Sequence, residues 1–329
     1  MKKLSVGIDS YCLHPLELSP LAMLKWAKEN QAEGVQFSGL DPKDAAIADE
    51  VYLRELAVYA QENNLYLEWG GGQHIPFDME SWKSKDLFPV NRKAAEQASI
   101  LGTRIVRSCS GGLMRWDARS PMTEALLHEM AEGLKAQRQM LRDNHVILAL
   151  ETHFEFTTHE LFRLFERCEA EPGDFLGICL DTMNLLTMLE EPLTATRRIL
   201  PWVVSTHIKD GAVLLNEKGL VTFPAEIGAG VIDLRKICRL LALLPEKLHL
   251  SIEDHGGSFN LPVFNPLFLS KFPDLTTTEF LRIVQMTIKS EAKMEKGKLG
   301  ITKREDWPRI CETRIKRDIL ALRKLLQRE

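Results

Sequence analysis

Four apolar runs in the second half of the chain each stop on an acid or a histidine. They are "LALETHFEF" from Leu148, "GICLDTMN" from Gly177, "VVSTHIKD" from Val203 and "HLSIEDHGG" from His249. Four similar runs precede them, and the pattern predicts strands at 5–9, 35–38, 66–69, 104–108, 146–151, 176–181, 203–207 and 249–253. Every gap is long enough for a helix and two loops, and near-continuous apolar strands suit a parallel sheet covered on both faces. Eight such units predict a (β/α)8 TIM barrel. A doubly wound open sheet is the alternative. No GxGxxG follows the first run, however, and the polar endings are spread over four strands rather than gathered at one crevice.

The helical segments carry start and stop signals. Ser19-Pro20 opens "SPLAMLKWAKEN", Gly102 ends "NRKAAEQASILG", and Asp233 opens "DLRKICRLLALLP". In "TTHELFRLFERCEA", Leu161, Leu164, Phe165 and Cys168 share one helical face. Residues 258–275, rich in Pro, Phe and Asn, read as a lid or a packed loop. The barrel is expected over 1–290 and a C-terminal helical extension over 291–329, with an apolar stripe at Ile310, Ile315, Ile319, Leu322 and Leu326. That stripe predicts packing on the barrel or on a subunit neighbour, hence a possible homo-oligomer.

Bulk properties remove several function classes. With 329 residues, 45% hydrophobic and a net charge of −4, the chain has the composition of an ordinary soluble protein. Nothing in it calls for nucleic acid or a membrane as partner. Six cysteines without CxxC spacing predict reduced thiols, a cytoplasmic location and no thiolate zinc site.

Parallel barrel strands all point one way, so Glu151, Asp181, His207 and Glu253 converge at the C-terminal mouth. Three crowded carboxylates repel one another, and a divalent cation removes that repulsion. Three oxygen donors and one imidazole suit Mn²⁺, Mg²⁺ or Co²⁺ ahead of zinc. Helix capping is the competing role for each acid taken singly. Further polar residues near the predicted mouth make substrate contacts plausible at Trp69, His74, Arg107, His153, Asn184, Lys209 and His255, with Arg115 nearby. Arg107 has a competing role as the ion-pair partner of Glu68 or another mouth acid, and Lys209 as that of Asp210 or a metal-ligand carboxylate.

With "ALETH", "LDTMN", "HIKD", the later "IGAGVIDL", and "SIEDH", residues 4–290 resemble the xylose-isomerase-like barrels of the sugar isomerase and epimerase superfamily. The resemblance implies a metal tetrad of Glu151, Asp181, His207 and Glu253, with Glu151 and Glu253 doubling as bases. Two positions depart from the epimerase pattern. Asn184 stands where many epimerases have histidine, and no arginine follows His207 closely. "IDSYCLHPLEL" and "LETHFEF" are also similar to barrels of branched-sugar-acid catabolism, including 3-oxo-isoapionate decarboxylases. The expected chemistry is a metal-stabilised enediolate on a small sugar or sugar-acid substrate. Decarboxylation of a 3-oxo sugar acid is one route to it, and isomerisation or epimerisation by Glu/Glu proton shuttling the alternative. A non-catalytic sugar-binding barrel is a third reading.

Overall fold

The apolar runs form strands where the sequence places them. The computed structural model describes residues 4–40, 42–109, 112, 114–116 and 119–327. In chain order the strands are β1 (Leu4–Asp9), β2 (Gly34–Gln36), β3 (Tyr66–Gly72), β4 (Ile105–Ser108), β5 (Ile147–Glu151) and β6 (Leu176–Asp181). Then come β7 (Val203–Ile208), β8 (Asp210–Asn216), β9 (Gly219–Ala225), β10 (Leu248–Ile252) and β11 (Phe259–Leu261). Eight of them close into a parallel barrel in the order β1, β10, β7, β6, β5, β4, β3, β2. Every residue of β1, β5 and β6 is buried, as both faces of such strands must be. This is the TIM barrel that the spacing predicts.

The helices begin and end on the chemistry that the sequence supplies. Ser19 caps Pro20–Glu29 by accepting the Ala22 amide, and Gly102, at φ 73°, ends Phe88–Leu101. Thr157 and Glu160 form a reciprocal capping box on Thr158–Arg167, whose Leu161, Leu164 and Phe165 lie against the barrel core.

A second, three-stranded sheet, absent from the sequence reading, follows β7 directly. Strands β8 and β9 form a hairpin, and β11 pairs with β9. Part of segment 258–275 is therefore strand and part a short helix, Pro266–Leu269, rather than irregular loop throughout. The buried Asp210 carboxylate anchors the hairpin base by accepting the amides of Gly228, Gly230 and Ile232. A Cβ on Gly230 would lie 2.1 Å from Asp210 Oδ1, so only glycine admits this approach.

The helix Trp307–Gln327 packs on β1, β10 and the turn after β1, filling the outer layer where the barrel closes. Ile315, Ile319 and Leu322 are fully buried there, and Trp307 Nε1 donates to the Cys12 carbonyl at 2.9 Å. The predicted stripe is thus covered by the chain's own barrel, so it gives no reason for a subunit neighbour. A boundary at residue 290 cuts the helix Thr277–Glu295, whose Ser290 Oγ accepts the Val213 amide of β8 at 3.3 Å. All six cysteines are unpaired. Among the described residues no helix is long and apolar enough to cross a membrane.

Candidate active site

The strand ends do converge. Glu151, Asp181 and His207 terminate or nearly terminate β5, β6 and β7, and one donor atom from each lies within 4.8 Å of the others. Glu253 follows β10 by one residue and joins them through Lys209. The Lys209 ammonium is 2.8 Å from Asp181 Oδ2 and also contacts Glu253 Oε2. Asp181 combines the two roles that the sequence left open. Its Oδ1 accepts the Met183 and Asn184 amides at 2.9 Å, and its Oδ2 faces the site.

Electrostatics set the protonation of these groups. Burial works to raise the Glu151 pKa, but Arg107 and His207 outweigh it and hold the carboxyl well below its ordinary range. Arg107 Nε donates to Glu151 Oε2 at 2.8 Å, and a second guanidinium nitrogen contacts the same oxygen. Glu253 is likewise opposed by burial, yet Lys209, then His255 and His207, bring it down to about 2. Both glutamates are therefore ionised, the state a base requires. Asp181 goes the other way, raised by burial that Lys209 only partly offsets.

His207 is held from behind. Its Nε2 contacts Gln36 Oε1, and Gln36 Nε2 in turn donates to Glu68 and to Ser205 Oγ. The Glu68 carboxylate can only accept, which fixes the Gln36 amide with its oxygen toward His207. The Nε2 proton is thereby placed on Gln36, and Nδ1 is presented to Glu151 at 3.3 Å and to Asp181 at 4.0 Å. Burial opposes a charge on this ring, but Cys179, Glu151 and Asp9 raise its pKa well above the histidine range. Asp9, at the end of β1, has its Oδ2 3.3 Å from His207 Nε2.

These residues fit a divalent cation. The donor set is two carboxylates and an imidazole Nδ1 in mutual reach, while Glu253 stands outside this group and is linked to it through Lys209. The buried Asp181 Oδ2 faces these donors and is held by the Lys209 ammonium at 2.8 Å, so the position already accommodates a positive charge.

The substrate candidates divide. Arg107, His153, Lys209 and His255 line a cavity of about 630 Å³ that also contains Glu151 and Glu253. Asn184 reaches Glu151 Oε1 at 3.5 Å. His153 pairs with Glu155 at 2.8 Å, which raises its pKa well above normal against the effect of burial. His255 lies 3.5 Å from Glu253, and burial brings it down to about 4. Trp69 and His74 lie outside the cavity lining. Trp69 alternates with the inward Glu68, packs on Phe37 and donates to Gln97 on an outer helix at 3.1 Å. His74 is buried with Nδ1 2.8 Å from Ser108 Oγ, and burial lowers its pKa to about 3. Arg115 is likewise drawn away, to Glu160 and the carbonyls of Glu155 and Lys271, where it ties loops together.

Sequence reasoning missed Asp9, Gln36, Tyr11 and Arg304. Asp9 carried a usable signal, because it ends an apolar run as the other four do. Gln36 interrupts one, in "GVQF".

Residues 24–270 match the family model described as the xylose isomerase-like TIM barrel. The chain belongs to that family. Three solved structures share the fold. D-psicose 3-epimerase from Clostridium cellulolyticum H10, solved with D-tagatose, superposes with a TM-score of 0.59 at 14% identity, covering 87% of this chain and 97% of that one. A probable 3-DHS dehydratase, AsbF of Bacillus anthracis, gives 0.57 at 14% identity over 75% and 92%. A xylose isomerase domain protein from Planctomyces limnophilus gives 0.53 at 16% identity over 90% and 96%. In sequence the chain is similar to an uncharacterized Escherichia coli K12 protein, YihM, at 26% identity over 95 residues. That match covers 29% of this chain and 28% of the relative.

Proposed function

We propose that this xylose isomerase-like barrel is a divalent-metal-dependent enzyme that moves protons on the carbons beside the ketone of a sugar or sugar acid. The observation that carries this reading is the pair Glu151 and Glu253. Both are buried, both are held ionised by a neighbouring cation, and both line the same cavity. One ionised carboxylate can take a proton from carbon and, now protonated, return it to the neighbouring carbon for isomerisation; for epimerisation the other carboxylate, after taking a proton from solvent, would deliver it to the opposite face of the same carbon. Bound divalent metal would supply polarisation of the substrate's carbonyl and hydroxyl oxygens, the role Lewis acids play at such sites. Mn²⁺, Mg²⁺ or Co²⁺ suit the donors. Asn184 and Lys209 would orient the substrate's hydroxyls, and the second sheet would wall off water. The D-psicose 3-epimerase among the structural relatives performs chemistry of this class by its name.

Decarboxylation of a 3-oxo sugar acid is the second reading. Its main support in the sequence was an excess of cations at the mouth. Arg107 and Lys209 are already matched to Glu151, Asp181 and Glu253, which weakens that support. The residues left to favour it are the neutral His255 and the charged His153, as proton donors to a carbanion.

Proton NMR in D₂O on the Mg²⁺-loaded protein, with pooled keto-sugars and 3-oxo sugar acids, tests both. Deuterium entering a retained C–H position supports proton transfer. Loss of CO₂ with one deuteron in its place supports decarboxylation. Glu253→Gln should stop either reaction while keeping the wild-type circular dichroism; undiminished turnover in that variant would remove Glu253 from its role.

A further inference from the structure

The motif "SIEDHGG" ends in two glycines that the metal site does not use. Gly256 and Gly257 have φ of 65° and 91°, conformations that other residues rarely adopt. Both lie against the segment that precedes the last helix. The Gly257 amide donates to the Thr302 carbonyl at 2.8 Å. A Cβ on Gly256 would sit 3.1 Å from that same carbonyl oxygen, and one on Gly257 would sit 3.3 Å from Arg304 Nε. The bare glycine backbone therefore lets the 302–304 segment press onto the loop after β10. It carries Arg304 to the lining of the catalytic cavity, beside Tyr11, His14, His255 and Phe259.

Arg304 differs from the other strong cations there. Arg107 is matched to Glu151, Lys209 to Asp181 and Glu253, and the protonated His153 to Glu155. Among the described residues Arg304 pairs with no carboxylate, and it is exposed while the tetrad is buried. The remaining acids of the lining, Glu17 and Asp44, come from the segments after β1 and β2. The cavity thus has a charge-matched floor and one unmatched guanidinium at its lip. A guanidinium fork suits a planar carboxylate or a phosphate by parallel hydrogen bonds.

We infer that Arg304 recognises an anionic terminus on the substrate, a carboxylate or a phosphate, with the sugar's reacting carbons directed inward to Glu151 and Glu253. This assignment deepens the proposed function and rests on its placing the reaction at the tetrad.

The test uses three non-reacting polyols on the Mn²⁺-loaded full chain, measured by titration calorimetry at fixed ionic strength. They are ribitol, which is neutral, D-ribonate, which carries a carboxylate, and D-ribitol 5-phosphate. The expected result is that one anion binds the wild type about tenfold or more tightly than ribitol, the scale of a charge-assisted hydrogen bond. Arg304→Met should remove that preference, Arg304→Lys should keep part of it, and neither should alter Mn²⁺ affinity or melting temperature. Which anion is preferred distinguishes a sugar acid from a sugar phosphate. Equal or unmeasurable affinity of the wild type for all three would overturn the inference. So would a preference that survives in Arg304→Met, which would place the anion on the metal instead. Deuterium exchange into a substrate does not depend on this result, so the two readings fail separately.

Discussion

Lys209→Met removes the one cation that stands between two buried acids. The Lys209, Asp181 and Glu253 side chains are all 6% exposed or less, and the ammonium is 2.8 Å from Asp181 Oδ2 while contacting Glu253. Methionine keeps much of the apolar stem and takes away the charge. Breaking a buried ion pair from one side costs about 3–5 kcal/mol, because the partner is left desolvated and unmatched. The figure applies here in the metal-free state, where Asp181, Glu253 and Glu151 would then repel one another. At about 2 °C per kcal/mol for a chain of this size, the midpoint of thermal unfolding should fall by roughly 6–10 °C in EDTA. A cation bound among the same acids restores what lysine supplied. At a hundred times its Kd it adds about 2.7 kcal/mol of stability. The variant should therefore regain most of the loss in saturating Mn²⁺, and its midpoint should rise more on adding Mn²⁺ than that of the wild type, where lysine competes. The assay is circular dichroism melting of both proteins with and without metal. A variant melting within about a degree of the wild type in EDTA would refute the reasoning, since the buried acids would then not need Lys209.

Two other expectations concern buried polar groups behind the cavity. Gln36→Leu removes the acceptor that holds the His207 Nε2 proton, so Mn²⁺ affinity measured by electron paramagnetic resonance should fall about 10–100-fold with the barrel intact; unchanged affinity would show that His207 is oriented without it. Arg314 lies between two buried acids, Asp254 and Asp318, and burial pushes Asp318 up to about 7 against Arg314 and the Ile227 amide. The folded state then holds a proton that the unfolded chain has lost between about pH 4 and 7, so stability falls as pH rises across that window, by up to about 1.4 kcal/mol per unit. Asp318→Asn keeps an acceptor for Ile227 and should flatten the slope in urea titrations; an equally steep slope would place the proton elsewhere.

Much of this protein is legible in one dimension. Apolar runs of strand length, with Ser19, Gly102 and Asp233 as stop and start signals, follow from local stereochemistry and need no partner to be read. Because parallel strands share a direction, the residue type at each run's end also locates the mouth, which is how Glu151, Asp181, His207 and Glu253 were singled out; donor atoms of the first three lie within 4.8 Å of one another. The hairpin β8–β9 was within reach as well. Its "NEKG" turn lies between apolar runs, but those runs adjoin the strand-ending motif and were left unassigned.

What the chain order could not give is which side chains meet once the ends join. Side chains on a strand alternate, so a one-residue difference sent Glu68 inward to Gln36 and Trp69 outward to Gln97, and no property of tryptophan itself reveals that choice. Arg107 became the partner of Glu151 because β4 and β5 pair in register, with Arg107 opposite Ala149. Asp9 and Gln36 reach His207 across the closed barrel, and Arg304 reaches the cavity because the last helix packs on β1 and β10 and the segment before it lies on the loop after β10. Sequence sets the inventory of donors, bases and cations by local pattern; closure of the barrel decides which charges neutralise one another and which one is left facing the solvent.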